Sequence, residues 1–100
     1  MTTIGELQTL ISACEKKINE LDIQLVRNEE FMRRALIVQD ENKRGLEQQT
    51  DELRIFIYNG MIADTEKTMK NIIEFKLKTT HDKNQEMLKI TEYQKAIELI

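Results

Sequence analysis

Seven residues near the N-terminus, Ile4, Leu7, Ile11, Cys14, Ile18, Leu21 and Leu25, advance by alternating steps of three and four. That rhythm gathers all seven on one side of an α-helix, whereas a strand would scatter them over both faces. It is the a/d stripe of a helix laid along another helix. Glu6, Glu15, Lys16, Lys17, Glu20 and Asp22 fall off the stripe. Thr3, followed three residues on by Glu6, has the pattern of a capping box, so the helix is expected to begin near Ile4. The same frame reaches Asn28, Met32 and Ala35. The seam is read as drifting at Asn28, which then turns to solvent. The alternative is a polar residue held in the seam, where it lowers stability and fixes register or partner number.

The pattern broadens from Phe31 to Val38. Phe31, Met32, Ala35, Leu36, Ile37 and Val38 go around most of a helix, more apolar surface than one helix–helix seam covers. A third helix or another chain is expected over it. Residues 39–52, QDENKRGLEQQTDE, then carry a single large apolar side chain, Leu46. They form either a solvent-facing stretch of one long helix loosened at Gly45 or a break at about 40–50, with Thr50-Asp51-Glu52 as a fresh helix start. The continuous helix is the expectation adopted, because Leu46, Leu53 and Phe56 keep the frame that starts at Ile4. Tyr58-Asn59-Gly60 supplies the strongest stop, since glycine readily takes the left-handed conformation that ends helices.

A second helix is expected from about 62 to 100, with helical but ragged apolar spacing. Within it TTHDKNQE, residues 79–86, lacks any apolar side chain. The expected architecture is thus all-α: one helical domain over residues 1–100, an antiparallel hairpin with coiled-coil packing. One helix covers about 4–58, a turn about 59–61 and a helix about 62–100. A first helix of about 54 residues would overhang a second of about 38, leaving roughly its first 20 residues unpaired. Leu7, Ile11, Ile18 and Leu21 are therefore expected to become buried only in an assembly, completed by oligomerisation or a partner chain.

Composition narrows the function classes. The chain has 15 basic and 18 acidic residues. Eight basic and eleven acidic residues precede Gly60, and seven of each follow it, so neither part forms the cationic cluster that tracks phosphates or anionic lipid. Neither nucleic-acid binding nor membrane insertion is expected. MTTIGELQ has no signal-peptide character, and one cysteine makes no internal disulfide. A cytoplasmic protein is expected, with export by a route needing no cleaved signal left open. Cys14 on the stripe reads as a small buried hydrophobe. His81, the single histidine, with Asp82 beside it offers too few ligands for zinc and, on the hairpin expected here, lies opposite about position 39, far from Cys14. The chain has no glycine-rich phosphate loop, and a thin hairpin offers carboxylates no desolvated pocket. A non-enzymatic protein is expected, with no cofactor, metal or small-molecule substrate. Its interaction residues are expected to be Ile4, Leu7, Ile11, Ile18, Leu21, Leu25, Phe31, Leu36, Val38, Leu53, Phe56, Tyr58 and Gly60.

Tyr58-x-Gly60 in a chain of this length resembles the WXG-type helical hairpins of bacterial type VII secretion, which place an aromatic-x-glycine motif at the bend between two helices. Tyr58 stands where that family has tryptophan, and the motif lies later in the chain. Tyr93 is followed four residues on by Ile97, where the family's export signal has an acid, and Glu98 is one place late. The resemblance implies a small partner protein that joins the helical domain of an LXG toxin. Two other roles are compatible with the same surfaces. One is a coiled-coil assembly or tethering subunit of a cytoskeletal, kinetochore or vesicle complex. The other is a small phage-type inhibitor docking on an enzyme.

Overall fold

A computed structural model describes residues 2–100 as two helices, α1 (Ile4–Glu47) and α2 (Glu52–Glu98), packed antiparallel as an all-α hairpin. Each helix starts on a side-chain cap. Thr3 Oγ1 accepts the amide of Glu6 at 3.1 Å, and Asp51 Oδ1 accepts the amide of Leu53 at 3.1 Å. Both satisfy an amide that the first helical turn leaves without a partner. α1 ends by tightening: Gln48 N–H donates to Gly45 O and Gln49 N–H to Leu46 O, three residues back, before the chain leaves at Thr50.

The turn therefore occupies residues 48–51, not 59–61, and the first helix does not run to 58. Of the two readings of residues 39–52, the break is the one observed. Asn59 and Gly60 lie inside α2, and among the described residues no glycine has a positive φ. The local stop signal is outweighed by pairing. A glycine inside a helix costs about 1 kcal/mol relative to alanine. Ending α1 at 58 would instead take Ile55 and Tyr58, both half-buried, out of the second helix and its seam. Because Gly60 is helical and a Cβ there would meet nothing within 4 Å, Gly60→Ala is expected to stabilise the fold by about 1 kcal/mol. A urea titration followed by circular dichroism tests this. A loss of stability would place position 60 at a turn.

The earlier turn makes the helices nearly equal, 44 and 47 residues, so the N-terminal stripe has an intrachain partner. Leu7, Cys14 and Leu21 are buried, and Ile11, Ile18 and Leu25 are half-buried. This corrects the expectation that Leu7, Ile11, Ile18 and Leu21 wait for an assembly. Ile4, in the first turn, stays exposed.

The chain divides into two compact units. The terminal unit joins Met1–Val26 to Leu77–Ile100. Its seam is apolar on α1. On α2 it is partly polar: Thr79 is buried, and Lys83, Glu86, Ile90, Tyr93 and Ile97 are half-buried at steps of three and four. Residues 79–86 thus take part in the seam without any apolar side chain. Lys83 Nζ reaches Asp22 Oδ1 across the helices at 2.7 Å.

The turn unit, Arg27–Lys76, keeps the same step on both helices but fills it differently. On α1 the buried residues are Asn28, Ala35, Gln39 and Asn42. On α2 the half-buried ones are Ile55, Tyr58, Ile62, Thr65, Met69 and Ile72. Side-chain amides tie the helices together. Asn28 Nδ2 donates to Ile72 O at 3.2 Å, Gln39 Nε2 to Ile62 O at 3.1 Å, and Asn42 Nδ2 to Thr65 Oγ1 at 3.3 Å. Asn28 is therefore held in the seam and does not face solvent. Near the turn the ring of Tyr58 occupies the place where a Cβ at position 45 would sit, so Gly45 permits the close approach there.

Candidate functional site

What the seam leaves outside is the candidate site. In the turn unit Phe31, Leu36, Ile37 and Val38 on α1 are each about half exposed, as are Ile57, Met61, Ile73 and Phe75 on α2. Leu53 and Phe56, just past the turn, are 66% and 75% exposed. Scattered apolar side chains on a surface need no explanation, but contiguous ones mark a surface that binds something.

Helical spacing sorts these residues into two grooves flanking the seam. One is lined by Phe31, Arg34, Ala35, Val38, Thr65 and Thr68. Positions 27, 31, 34, 38 and 41 share that side of α1 by steps of four and three, and positions 61, 64, 68, 71 and 75 share it on α2. This groove face therefore carries Phe31 and Val38 from α1 with Met61 and Phe75 from α2. The other groove is lined by Glu29, Met32, Arg33, Leu36, Ile73 and Lys76 around Asn28 and Ile72. Its exposed apolar centre is Leu36 and Ile73, set among charges of both signs.

Local electrostatics fix two of the side chains that border these grooves. Glu30 holds both following arginines: Arg33 Nε donates to Oε2 at 3.0 Å, and Arg34 Nε donates to Oε1 at 3.2 Å. The hydrogen bond from Arg33, and then its charge, keep the Glu30 carboxyl below the usual carboxylate range. These pairs are exposed and add little to stability. Their effect is to orient the guanidinium groups.

Chemistry-bearing residues do not converge. Burial pushes the Cys14 thiol above its ordinary range, and the Glu86 carboxylate, which accepts a hydrogen bond from it, pushes in the same direction. That hydrogen bond, then Lys89, whose Nζ lies 3.2 Å away, lower the Glu86 carboxyl. A thiol with a raised pKa is a poor nucleophile at neutral pH. With the turn at 48–51, position 81 falls opposite the low twenties of α1, not position 39. Among the described residues no group of three or more His, Cys, Asp or Glu is placed to hold a metal. No helix is long and apolar enough to cross a membrane.

Of the residues expected to form an interaction surface, Phe31, Leu36, Val38, Leu53 and Phe56 are exposed side chains. Leu7, Ile11, Ile18, Leu21 and Leu25 instead serve the intrachain seam, and Tyr58 is half-buried against Gly45. Gly60 is exposed on α2 and bends nothing. Sequence reasoning passed over Ile57, Met61, Ile73 and Phe75 as surface residues. Their signal was available in the α2 frame Ile55, Tyr58, Ile62, Thr65, Met69, Ile72, from which all four lie off the stripe.

The chain matches no protein-family model, and no curated protein or solved structure matches it.

Proposed function

We propose that this chain is a non-enzymatic helical interaction subunit that docks on a larger helical protein, adding its hairpin to that protein's helices. The observation that carries the reading is the row of half-exposed large apolar side chains on the outer faces of the turn unit, left over after the intrachain seam is complete. The Leu36–Ile73 groove suits an amphipathic helix: an apolar centre supplies affinity, and flanking Glu29, Arg33 and Lys76 select among partners. The resemblance to WXG-type hairpins supplies the specific case, a type VII secretion partner of an LXG toxin. Supporting it is an antiparallel helical hairpin of one hundred residues. The Tyr58-x-Gly60 motif, inside α2, lends it no support.

Affinity capture from the native cells tests the general reading. A helical protein recovered with the unmodified chain and lost with Leu36→Asp plus Ile73→Asp is the expected result. Both positions are half exposed, so the substitutions leave the hairpin intact by circular dichroism. Recovery of the same partner by the double variant would overturn the proposed groove, and absence of any stoichiometric partner would overturn the role. An LXG-type domain in the recovered protein is the outcome that the specific case requires.

A further inference from the structure

We infer that the outer face of α2 just past the turn binds the same face of a second copy of this chain, the two helices running antiparallel about a two-fold axis midway between Ile57 and Gly60. The inference is independent of the docking role proposed above, whose groove is lined by none of the residues used here.

Gly60 has no use inside its own chain. It sits in the interior of α2, where glycine lowers helix stability relative to alanine. Its φ is not positive, and a Cβ there would meet nothing within 4 Å. Gly45 differs, because the ring of Tyr58 fills the space that a side chain at 45 would take. At position 60 the missing side chain leaves a notch open to the outside, where another molecule can approach the backbone closely.

The notch lies within an apolar patch. Leu53, Phe56, Ile57 and Met61 are 66%, 75%, 50% and 43% exposed. With Gly60 and Asp64 they follow one another by alternating steps of three and one, which keeps them on one side of a helix. Ile55, Tyr58, Ile62 and Thr65, the half-buried seam residues, form the other side. The patch therefore turns away from α1. Two turns of one helix with a notch between them are shaped to receive the side chains of another helix.

The patch supplies those side chains itself. In the antiparallel pairing Ile57 inserts among Ile57, Gly60, Met61 and Asp64 of the second copy. Leu53 inserts among Gly60, Ala63, Asp64 and Lys67 of the second copy. Gly60 borders both holes, and its lack of a side chain widens both. Phe56 lies along one edge, over Gly60 of the second copy. Charge chooses the direction. Arg54 stands level with Asp64 of the second copy, and Glu52 with Lys67 of the second copy, and the two-fold axis makes each pairing twice. Asp64, Lys67 and Glu52 take part in none of the ion pairs within the chain, and Arg54 reaches Asp51 only at 4.0 Å. A parallel pairing sets each residue level with its own copy, Asp64 on Asp64 and Lys67 on Lys67. Like charges facing each other at an interface oppose association.

Sedimentation equilibrium on the purified chain, from micromolar to millimolar, is the test. A contact through one helix face is smaller than the roughly 800 Å² per partner of a standard interface, so the dimer is weak and its population follows concentration. The mass is expected to rise from 11.8 kDa towards twice that value. Gly60→Gln fills the notch with a good helix former. It is expected to weaken the dimer by roughly tenfold or more, while the urea midpoint of dilute protein rises. Arg54→Asp and Asp64→Arg each set like charges at both symmetry-related contacts and are each expected to weaken the dimer by roughly fivefold. Combined in one chain, or mixed as two chains, they are expected to restore it. All three positions are exposed, and circular dichroism checks that the variants fold. A monomer at every concentration overturns the inference. So does a dimer indifferent to Gly60→Gln, which places the contact on another face. A dimer weakened by Gly60→Gln but indifferent to the charge exchange overturns the antiparallel direction. Each outcome is read on the purified chain alone, so failure of affinity capture in native cells leaves it unchanged and the two readings fail separately.

Discussion

Leu21→Ala is expected to lower the unfolding free energy by about 3 kcal/mol, the usual cost of removing a buried leucine side chain. Leu21 is 4% exposed, on the α1 side of the terminal unit's seam. The loss has two parts: apolar surface that water no longer releases on folding, and a cavity that a two-helix seam closes only in part. Against a total stability of about 5–15 kcal/mol for a typical domain, the change is large enough to read directly from a urea titration. The design contains its own control. If Leu21 is buried within the chain, the difference between variant and parent is the same at low and at high protein concentration. A difference that vanishes on dilution would return Leu21 to an interface between chains. Leu36→Ala, at a half-exposed position, is expected to change stability by less than about 0.5 kcal/mol.

The second large effect has the opposite sign. Gln39→Leu is expected to stabilise the hairpin by about 1–2 kcal/mol. Gln39 is 6% exposed, and its Oε1 is buried without a hydrogen-bond partner. A buried acceptor left unmade costs about 1–3 kcal/mol, more than a typical net hydrogen bond returns. Removing the side-chain amide also removes the donation from Nε2 to Ile62 O. That carbonyl lies inside α2 and keeps its helical partner, so it is not orphaned by the change. Leucine at a seam position adds apolar burial besides. Thermal and urea unfolding compare the two proteins. A destabilised Gln39→Leu would mean that Oε1 finds a partner in solution and that the polar layer is a net contributor. Asn28 and Asn42 differ from Gln39 in this respect: neither has an orphaned buried atom among the described residues. Both are better suited to fixing register than to adding strength.

The contrast between these two residues also shows where sequence reading succeeds and where it stops. The stripe from Leu7 to Leu25 is legible because apolar side chains occupy it, so counting steps of three and four finds the face that is buried. Past Leu25 the same steps continue through Asn28, Met32, Ala35, Gln39 and Asn42, but polar residues fill three of those five places. A rule that recognises a buried face by hydrophobicity sees solvent there. The turn is misplaced for a related reason. Asn59-Gly60 is a strong local stop, whereas Asp51 is a modest cap, and local chemistry ranks them in that order. Tertiary pairing reverses the ranking, because α2 needs Ile55 and Tyr58 on its seam and Gly45 leaves room for the ring. Leu53 and Phe56, which prolong the α1 frame by count, lose it at the turn and become two of the most exposed side chains. The breadth of apolar surface from Phe31 to Val38, in contrast, was visible as a surplus that one seam leaves uncovered. Which of its sides faces which groove depends on the register between the helices, and the sequence of one helix does not contain that.

The terminal unit is assembled from two stretches of chain with about fifty residues between them. Closing a loop of that length costs about 3 kcal/mol in chain entropy before any contact forms. Pairing that starts at the turn avoids that cost, yet the turn unit holds the polar layers, so the weakest adhesive in the hairpin must be applied first. Synthesis sharpens the point. Leu7 to Leu25 leave the ribosome well before their counterparts from Thr79 to Ile97, which follow about seventy residues later. At about 5–20 residues per second, the most adhesive stripe in the molecule stays single for several seconds. During that interval another nascent copy offers the same stripe. The position of the turn thus decides how long each new chain is open to its neighbours, a kinetic exposure that the finished hairpin conceals.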